Sequence, residues 1–268
     1  MQADIRIAAV IFEAPFGQVR ENLQRMEAWV AQAKKRQVDA ICFPELNITG
    51  YHPQSQIAGL AEEIPGPISR HLVRAAKAGR CMILAGMLET DAQGGIYASH
   101  LAVSGEGLLG VYRKTHIAPP ELNQFAAGDT VPLFEFRGVK FGIQLCYDAH
   151  FPELSTRMAL EGADLIFMPH ASPRGTPEEK IASWSRHLTA RAFDNGLFVV
   201  ACNQCGDNRK NLRFPGIAMV IGPDGGIMAR RSSSREAMLV FDLKAQLLES
   251  VRGHPMRYFL PSRRSDLY

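Results

Sequence analysis

The sequence has 268 residues, 46% hydrophobic, 21% charged and 8% aromatic, an ordinary globular composition that argues against disorder and against a fibrous architecture. Lys and Arg number 30 against 27 Asp and Glu, a formal net charge of +3, which is too small an excess to imply a nucleic-acid partner. No apolar run approaches the roughly eighteen residues of a membrane span, so no membrane partner is expected.

In chain order, Ile5 to Phe12 reads as a strand, and Val19, Leu23, Met26 and Val30 follow at helical spacing. Val38 to Phe43 is a second strand, Ile68 to Ala78 a helix and Cys81 to Leu88 a strand. Ser99 to Val103, Leu108 to Arg113 and Leu133 to Phe136 make a β-rich middle, with turns at Ser104-Gly105-Glu106-Gly107 and Arg137-Gly138. Val139 to Leu145 is a further strand, and a helix covers Glu153 to Leu160. Ala163 to Met168 has the short apolar run of a strand buried on both faces. Pro177 to Asn195 is the clearest helix: Pro stands at its first position, Glu178 and Glu179 lie in its first turn, and Ile181, Trp184, Leu188 and Ala192 share one face. Leu197 to Ala201, Ile217 to Ile221 and Met238 to Leu243 complete the strands, with a turn at Gly222-Pro223-Asp224-Gly225. No low-complexity linker and no repeat divide the chain, so one domain over residues 1–268 is expected, its sheets covered by helices.

The amino terminus carries Asp4 and Arg6 where a secretory leader would be basic and then apolar. Five cysteines, Cys42, Cys81, Cys146, Cys202 and Cys205, form an odd and scattered set unlike a disulfide framework. The lone C-x-x-C of Cys202 and Cys205 lacks the second ligand pair of a zinc site. A cytoplasmic location follows as the expectation.

Reactive groups close three strands: Phe43-Pro44-Glu45, Tyr112-Arg113-Lys114 and Gln144-Leu145-Cys146-Tyr147-Asp148. Each alone is weak, since a carboxylate, an ammonium or a small thiol at a strand end is most often structural. Together, and with Thr49-Gly50-Tyr51, Thr115-His116, Glu121, Phe125, Gly128, Phe151-Pro152-Glu153 and Arg191-Ala192-Phe193-Asp194-Asn195 around them, they resemble the nitrilase superfamily of carbon–nitrogen hydrolases over nearly the whole chain. The resemblance implies a four-layer α-β-β-α sandwich and a Glu-Lys-Cys catalytic set of Glu45, Lys114 and Cys146.

These residue types suit the chemistry. A free thiol is mostly protonated at neutral pH, so Cys146 needs a base, and Glu45 serves only if burial or a second carboxylate raises its pKa. Glu121 can be that second carboxylate. Attack on an amide puts negative charge on the carbonyl oxygen, for which Lys114 and the backbone N–H of Tyr147 are the candidate donors. Acyl transfer to Cys146 gives a thioester, which water opens with release of ammonia or amine. The scheme requires no cofactor and no metal. His116, beside Lys114, reads as a structural hydrogen-bonding group because Glu45 already fills the base role.

Nitrile-hydrolysing relatives resemble Cys-Trp-Glu at the nucleophile, whereas this chain has Cys146-Tyr147-Asp148, closer to amidases and carbamoyl hydrolases. The expected substrate is therefore a small amide or an N-carbamoyl compound. His150 stands where several small-amide branches have Arg, and Ala218 where many relatives have Ser. Tyr51, His170 and Arg174 are candidates for the substrate pocket, Arg174 as a fork for a carboxylate. A nitrilase, an acyltransferase to a small amine, and a non-catalytic binding member of the fold stay open as alternatives. The resemblance also implies association through helices near the nucleophile and the carboxyl terminus. Residues 251–268, with Met256, Tyr258, Phe259 and Leu260, look too apolar for a free tail, and a homodimer or higher homo-oligomer is expected.

Overall fold

The first strand is apolar at nearly every position because both of its faces are covered. In the computed structural model, which describes residues 1–53 and 57–267, Ile5, Ile7, Ala9 and Ile11 of β1 (Ile5–Ile11) join a buried cluster that continues into a second sheet. Ala8 and Val10 instead join a cluster with Met26, Val30 and Ala33 of α1 (Val19–Lys35) and Leu72 and Ala76 of α2 (Pro67–Gly79). The period of two along a strand divides one apolar run between two interfaces.

Sheet one also holds β2 (Ala40–Cys42), β3 (Met82–Thr90), β4 (Ile96–Ser104) and β5 (Gly107–Arg113). Sheet two is built from β6 (Phe134–Phe136), β7 (Val139–Ile143), β8 (Leu165–His170) and β9 (Phe198–Asn203), followed, beyond the short pair β10 (Gly206–Asp207) and β11 (Arg213–Phe214), by β12 (Ile217–Ile221) and β13 (Ile227–Ser232). The last strand, β14 (Ala237–Leu243), returns to sheet one beside β1. The six-stranded orders are β14-β1-β2-β3-β4-β5 and β13-β12-β9-β8-β7-β6. In each, three neighbouring strands are parallel, β1-β2-β3 and β7-β8-β9, and α-helices make the crossovers: α1 and α2 in the first, α3 (Pro152–Leu160) and α4 (Pro177–Asn195) in the second. The sheets lie face to face with helices outside, the four-layer sandwich implied by the resemblance.

α4 spans the same residues in the structure as in the sequence reading, because its ends are written locally. Thr176 accepts the Glu179 N–H at 3.2 Å, Glu179 returns a bond to the Thr176 N–H at 2.9 Å, and Gly196 closes the helix in the left-handed region at φ 55°. Other elements lacked such marks. β13 is an edge strand whose residues are mostly exposed, so it shows no apolar alternation. Residues 251–252, read as the start of a tail, finish α5 (Ala245–Arg252), which is anchored by Leu248 and by the Arg252–Asp164 pair at 2.9 Å. Beyond it Leu260 is buried and Met256 exposed, while Tyr258 is half-buried; Tyr268 lies outside the described residues. Among the described residues no helix is long and apolar enough to cross a membrane. The five cysteines are unbridged, with Cys42 and Cys202 meeting between the sheets at 4.0 Å, sulfur to sulfur.

Candidate active site

Glu45, Lys114 and Cys146 follow β2, β5 and β7 and meet at one end of the sandwich. For β2 and β7 this is the carboxyl end of a parallel strand, where open α/β sheets place their ligands. Lys114 Nζ donates to Glu45 Oε1 and to Glu121 Oε2, both at 2.9 Å. Glu45 Oε2 accepts the Ala171 N–H at 3.0 Å, and Glu121 Oε1 accepts the Tyr51 hydroxyl at 2.8 Å. Glu45 and Lys114 are 1% exposed and Glu121 is 3% exposed, so the network is held out of water, where its charges interact strongly.

The Glu45 loop is fastened at close quarters. Gly86 of β3 donates its N–H to Asn47 Oδ1 at 2.8 Å and accepts the Ile48 N–H at 3.0 Å, and a Cβ on Gly86 would stand 2.4 Å from the Leu46 nitrogen. Only a glycine lets the strand and the loop approach this closely. Just past the end of β9, Gln204 donates to the Glu45 carbonyl at 2.8 Å.

Cys146 begins a 3₁₀ segment, Cys146–His150, and its own φ is +45°, a left-handed conformation that costs a non-glycine residue about 1–3 kcal/mol. The turn is stabilised by Asp148, which is buried. Its carboxylate accepts the Leu145 N–H at 3.0 Å, the Tyr112 hydroxyl at 2.8 Å, the Thr115 hydroxyl at 2.9 Å and the His116 N–H at 2.8 Å. Asp148 thus ties the Cys146 turn to the segment that carries Lys114. His116 bonds Asp148 through Nδ1 at 2.9 Å and stacks on Phe151 at 3.8 Å. The Tyr147 N–H falls in the first turn, where helical segments leave donors without an internal acceptor.

Burial, reinforced by Glu121 and opposed by Lys114, raises the Glu45 pKa to about 7. Burial would turn Lys114 into a neutral amine, but the two carboxylates and Cys146 outweigh it and hold the ammonium well above its ordinary range. Burial, then the Glu45 charge, lifts the Cys146 thiol to about 12, against the pull of Lys114 and Lys180. The resting site is a protonated thiol beside a carboxylate poised near neutrality.

A cavity of about 980 Å³ is lined by Glu121, Cys146, Tyr147, Tyr51 and Arg174, while Glu45 and Lys114 are buried and do not line it. His170 does not, contrary to the sequence expectation. On β8, which alternates, it turns toward α4, sits 4.4 Å from the Trp184 ring and bonds the Met168 carbonyl at 2.8 Å, and burial keeps it neutral, well below the usual imidazole range. His150 lines the cavity and stacks on His187 at 4.5 Å. Gln204, Asn47 and Lys180 had no sequence signal, because each acts through a partner distant in the chain or hidden in a loop. Asp148 was visible only as a neighbour of the cysteine.

The carbon-nitrogen hydrolase family profile matches residues 6–253. The chain is 32% identical to an (R)-stereoselective amidase of a Pseudomonas species, over 80% of this chain and 76% of that one. It is 27% identical to a nitrilase of Pyrococcus abyssi, over 98% and 99%. Among solved structures, a mutant of the amidase from Nesterenkonia sp. AN1, which shows covalent addition of the acetamide moiety of fluoroacetamide at its active-site cysteine, superposes with a TM-score of 0.84 at 25% identity, covering 99% of this chain and 95% of that one.

Proposed function

The chain belongs to the carbon–nitrogen hydrolase family, and on that footing we propose that it hydrolyses small amides or N-carbamoyl compounds through a thioester on Cys146. The observation that carries this reading is the buried Glu45–Lys114–Glu121 network, which reaches through Glu121 the cavity that Cys146 also lines.

Burial and the Glu45 charge hold the Cys146 thiol far above the usual range, so a free-standing thiolate is disfavoured beside a carboxylate poised near neutrality. The proton therefore passes to Glu45 as the sulfur–carbon bond forms. Negative charge developing on the carbonyl oxygen is met by the Lys114 ammonium and the Tyr147 N–H; loss of one such donor typically costs about 10²–10³ in rate. Protonated Glu45 then gives its proton to the departing nitrogen, the carbon–nitrogen bond breaks, and ammonia or an amine leaves. Water adds to the thioester with Glu45 as base, releasing the acid and restoring the thiol. Glu121 holds Lys114 in place and keeps Glu45 basic.

Residues 1–268 are read as one domain whose two sheets share a core, in a cytoplasmic setting that keeps thiols reduced. A homodimer is part of the same reading. Leu160 on α3, Phe193 on α4, and Phe259, Met256 and Leu267 in the carboxyl-terminal segment are 54%, 44%, 41%, 74% and 66% exposed, apolar surface that a second copy would cover. Light scattering is expected to give about twice the chain mass of 29.6 kDa; the chain mass alone would remove the dimer from the reading. The function is tested by an ammonia-release screen over short amides, N-carbamoyl amino acids and matched nitriles. Nitriles turned over tenfold better than their amides in kcat/KM would replace the amide reading with a nitrile one.

A further inference from the structure

Packing explains only part of the Arg191-Ala192-Phe193-Asp194-Asn195 run of α4. Ala192 belongs to the core, and Phe193 lies at the surface, 5.8 Å from the Phe259 ring. Arg191 is 8% exposed, and its guanidinium leaves α4 toward the segment Cys146–His150. Nε donates to the Ala149 carbonyl at 3.1 Å and Nη2 to the His150 carbonyl at 3.2 Å. Among the described residues no carboxylate bonds it: Asp194 and Glu153 favour its charge from a distance, and burial outweighs them, drawing the guanidinium below its ordinary range. A cation buried without a counterion is costly, and an apolar side chain would fill the same space without that cost. What Arg191 gains in return lies in the two carbonyls.

These carbonyls close the 3₁₀ turn, where helical segments leave acceptors for an Arg or Lys side chain. Three residues beyond Ala149 stands Pro152, which has no N–H to continue the turn's bonding. α4 grips the same place a second time: His187, four residues before Arg191 and so on the same helix face, stacks its ring on His150 at 4.5 Å. The opposite end of the turn is held by Asp148, which accepts the Leu145 N–H at 3.0 Å. Between these anchors lie Cys146, with its left-handed φ of 45°, and the Tyr147 N–H. A strained backbone keeps one geometry only where its surroundings over-determine it, so loss of either anchor lets the turn relax. Arg191 does not line the cavity, and its influence on a substrate held there is indirect.

We propose that Arg191 is a positioning residue: from α4 it fixes the carboxyl end of the Cys146–His150 turn and thereby aims the Tyr147 N–H at the carbonyl oxygen of the substrate. This rests on the reading above, in which Cys146 is the nucleophile and the Tyr147 N–H a donor to the developing oxyanion. An N–H turned away from that oxygen loses most of its bond, because hydrogen bonds weaken steeply below about 120°. The thiol and its base are left as they were.

The test separates two reactions of one thiol. Acylation by p-nitrophenyl acetate puts negative charge on a carbonyl oxygen, whereas methyl methanethiolsulfonate forms a disulfide with the sulfur and has no carbonyl to polarise. Both are followed on Cys146 in the wild type, Arg191→Met and Arg191→Lys, with Cys146→Ala as the blank. Arg191→Met is expected to slow acylation at least about tenfold, part of the roughly 10²–10³ that a whole donor supplies, and to leave disulfide formation within about threefold of wild type. Arg191→Lys, which keeps the charge and can reach one carbonyl, should recover part of the loss. Equal slowing of the two reactions, or no slowing of either, overturns the proposal and leaves the Cys146 reading standing. A wild type acylated no faster than Cys146→Ala overturns that reading, and the proposal with it. If circular dichroism shows Arg191→Met unfolded, Arg191→Lys decides: acylation slowed at least about threefold with disulfide formation unchanged supports the proposal, and wild-type rates in both overturn it.

Discussion

Glu45, Lys114 and Glu121 form a buried floor that reaches the cavity through Glu121; each is no more than 3% exposed, and all four carboxylate oxygens have a donor. At the rim, Arg174 is exposed on a loop and Arg213 shows 88% of its side chain to solvent. The floor groups sit on strand ends and on a turn locked by Asp148; the rim groups sit on connections that the core does not need. Reaction and selectivity are thereby separable: a change on the floor should damage chemistry, and folding too where it leaves a buried charge unpaired, whereas a change at the rim should alter which substrate is used.

The largest effect expected on the floor is that of Cys146→Ala, with kcat reduced by at least about 10⁴-fold, as for other nucleophile deletions, in a protein whose melting temperature is little changed; residual turnover above a hundredth of wild type would remove Cys146 from the nucleophile role. Lys114→Ala should cost at least about 10² in kcat and, by leaving Glu45 and Glu121 buried without their cation, about 3–5 kcal/mol in stability. Urea unfolding at neutral pH measures the second effect, and a stable Lys114→Ala would show that the floor is less tightly coupled than its hydrogen bonds imply.

Asp148→Ala sharpens the contrast at the next level. It removes a buried acceptor of bonds from Leu145, Tyr112, Thr115 and His116; the expected loss is about 10–10² in kcat, following the rule that supporting residues act through the geometry they hold. A comparable loss confined to KM would place Asp148 with the rim instead. The smallest effect is a shift in pH. In its proposed role as base, Glu45 must be ionised, so with its pKa raised to about 7 the rate should climb as pH rises through that value. Because Glu121 adds to that rise, Glu121→Gln should move the acidic limb of the kcat/KM profile to lower pH. A limb that stays in place would show that burial alone sets the Glu45 pKa.

Much of this architecture was readable from local pattern. The apolar runs of β1, β8 and β12, the stripe on α1 and both ends of α4 depend on residues a few positions apart, and Glu45, Lys114 and Cys146 were distinguished by standing just after strands in a recognisable order. β13 and α5 were missed because an exposed edge strand and an eight-residue helix carry too little periodicity to register. His170 was misassigned to the pocket because its place after an apolar run says nothing about which side of the sheet it takes.

The sequence by itself determined which elements form and which reactive groups end them, since helix caps, turns and the periods of two and 3.6 are all properties of neighbouring residues. Only the tertiary structure decided that Glu45 meets Lys114 across 69 residues and Ala171 across 126, that Cys146 takes a left-handed backbone, and that Lys180 is held on Ser172 beside the cavity. Those facts depend on how two sheets and their loops pack together, and the free energy that selects that packing comes from burying surfaces far apart in the chain, for which no local spacing can stand as a signal.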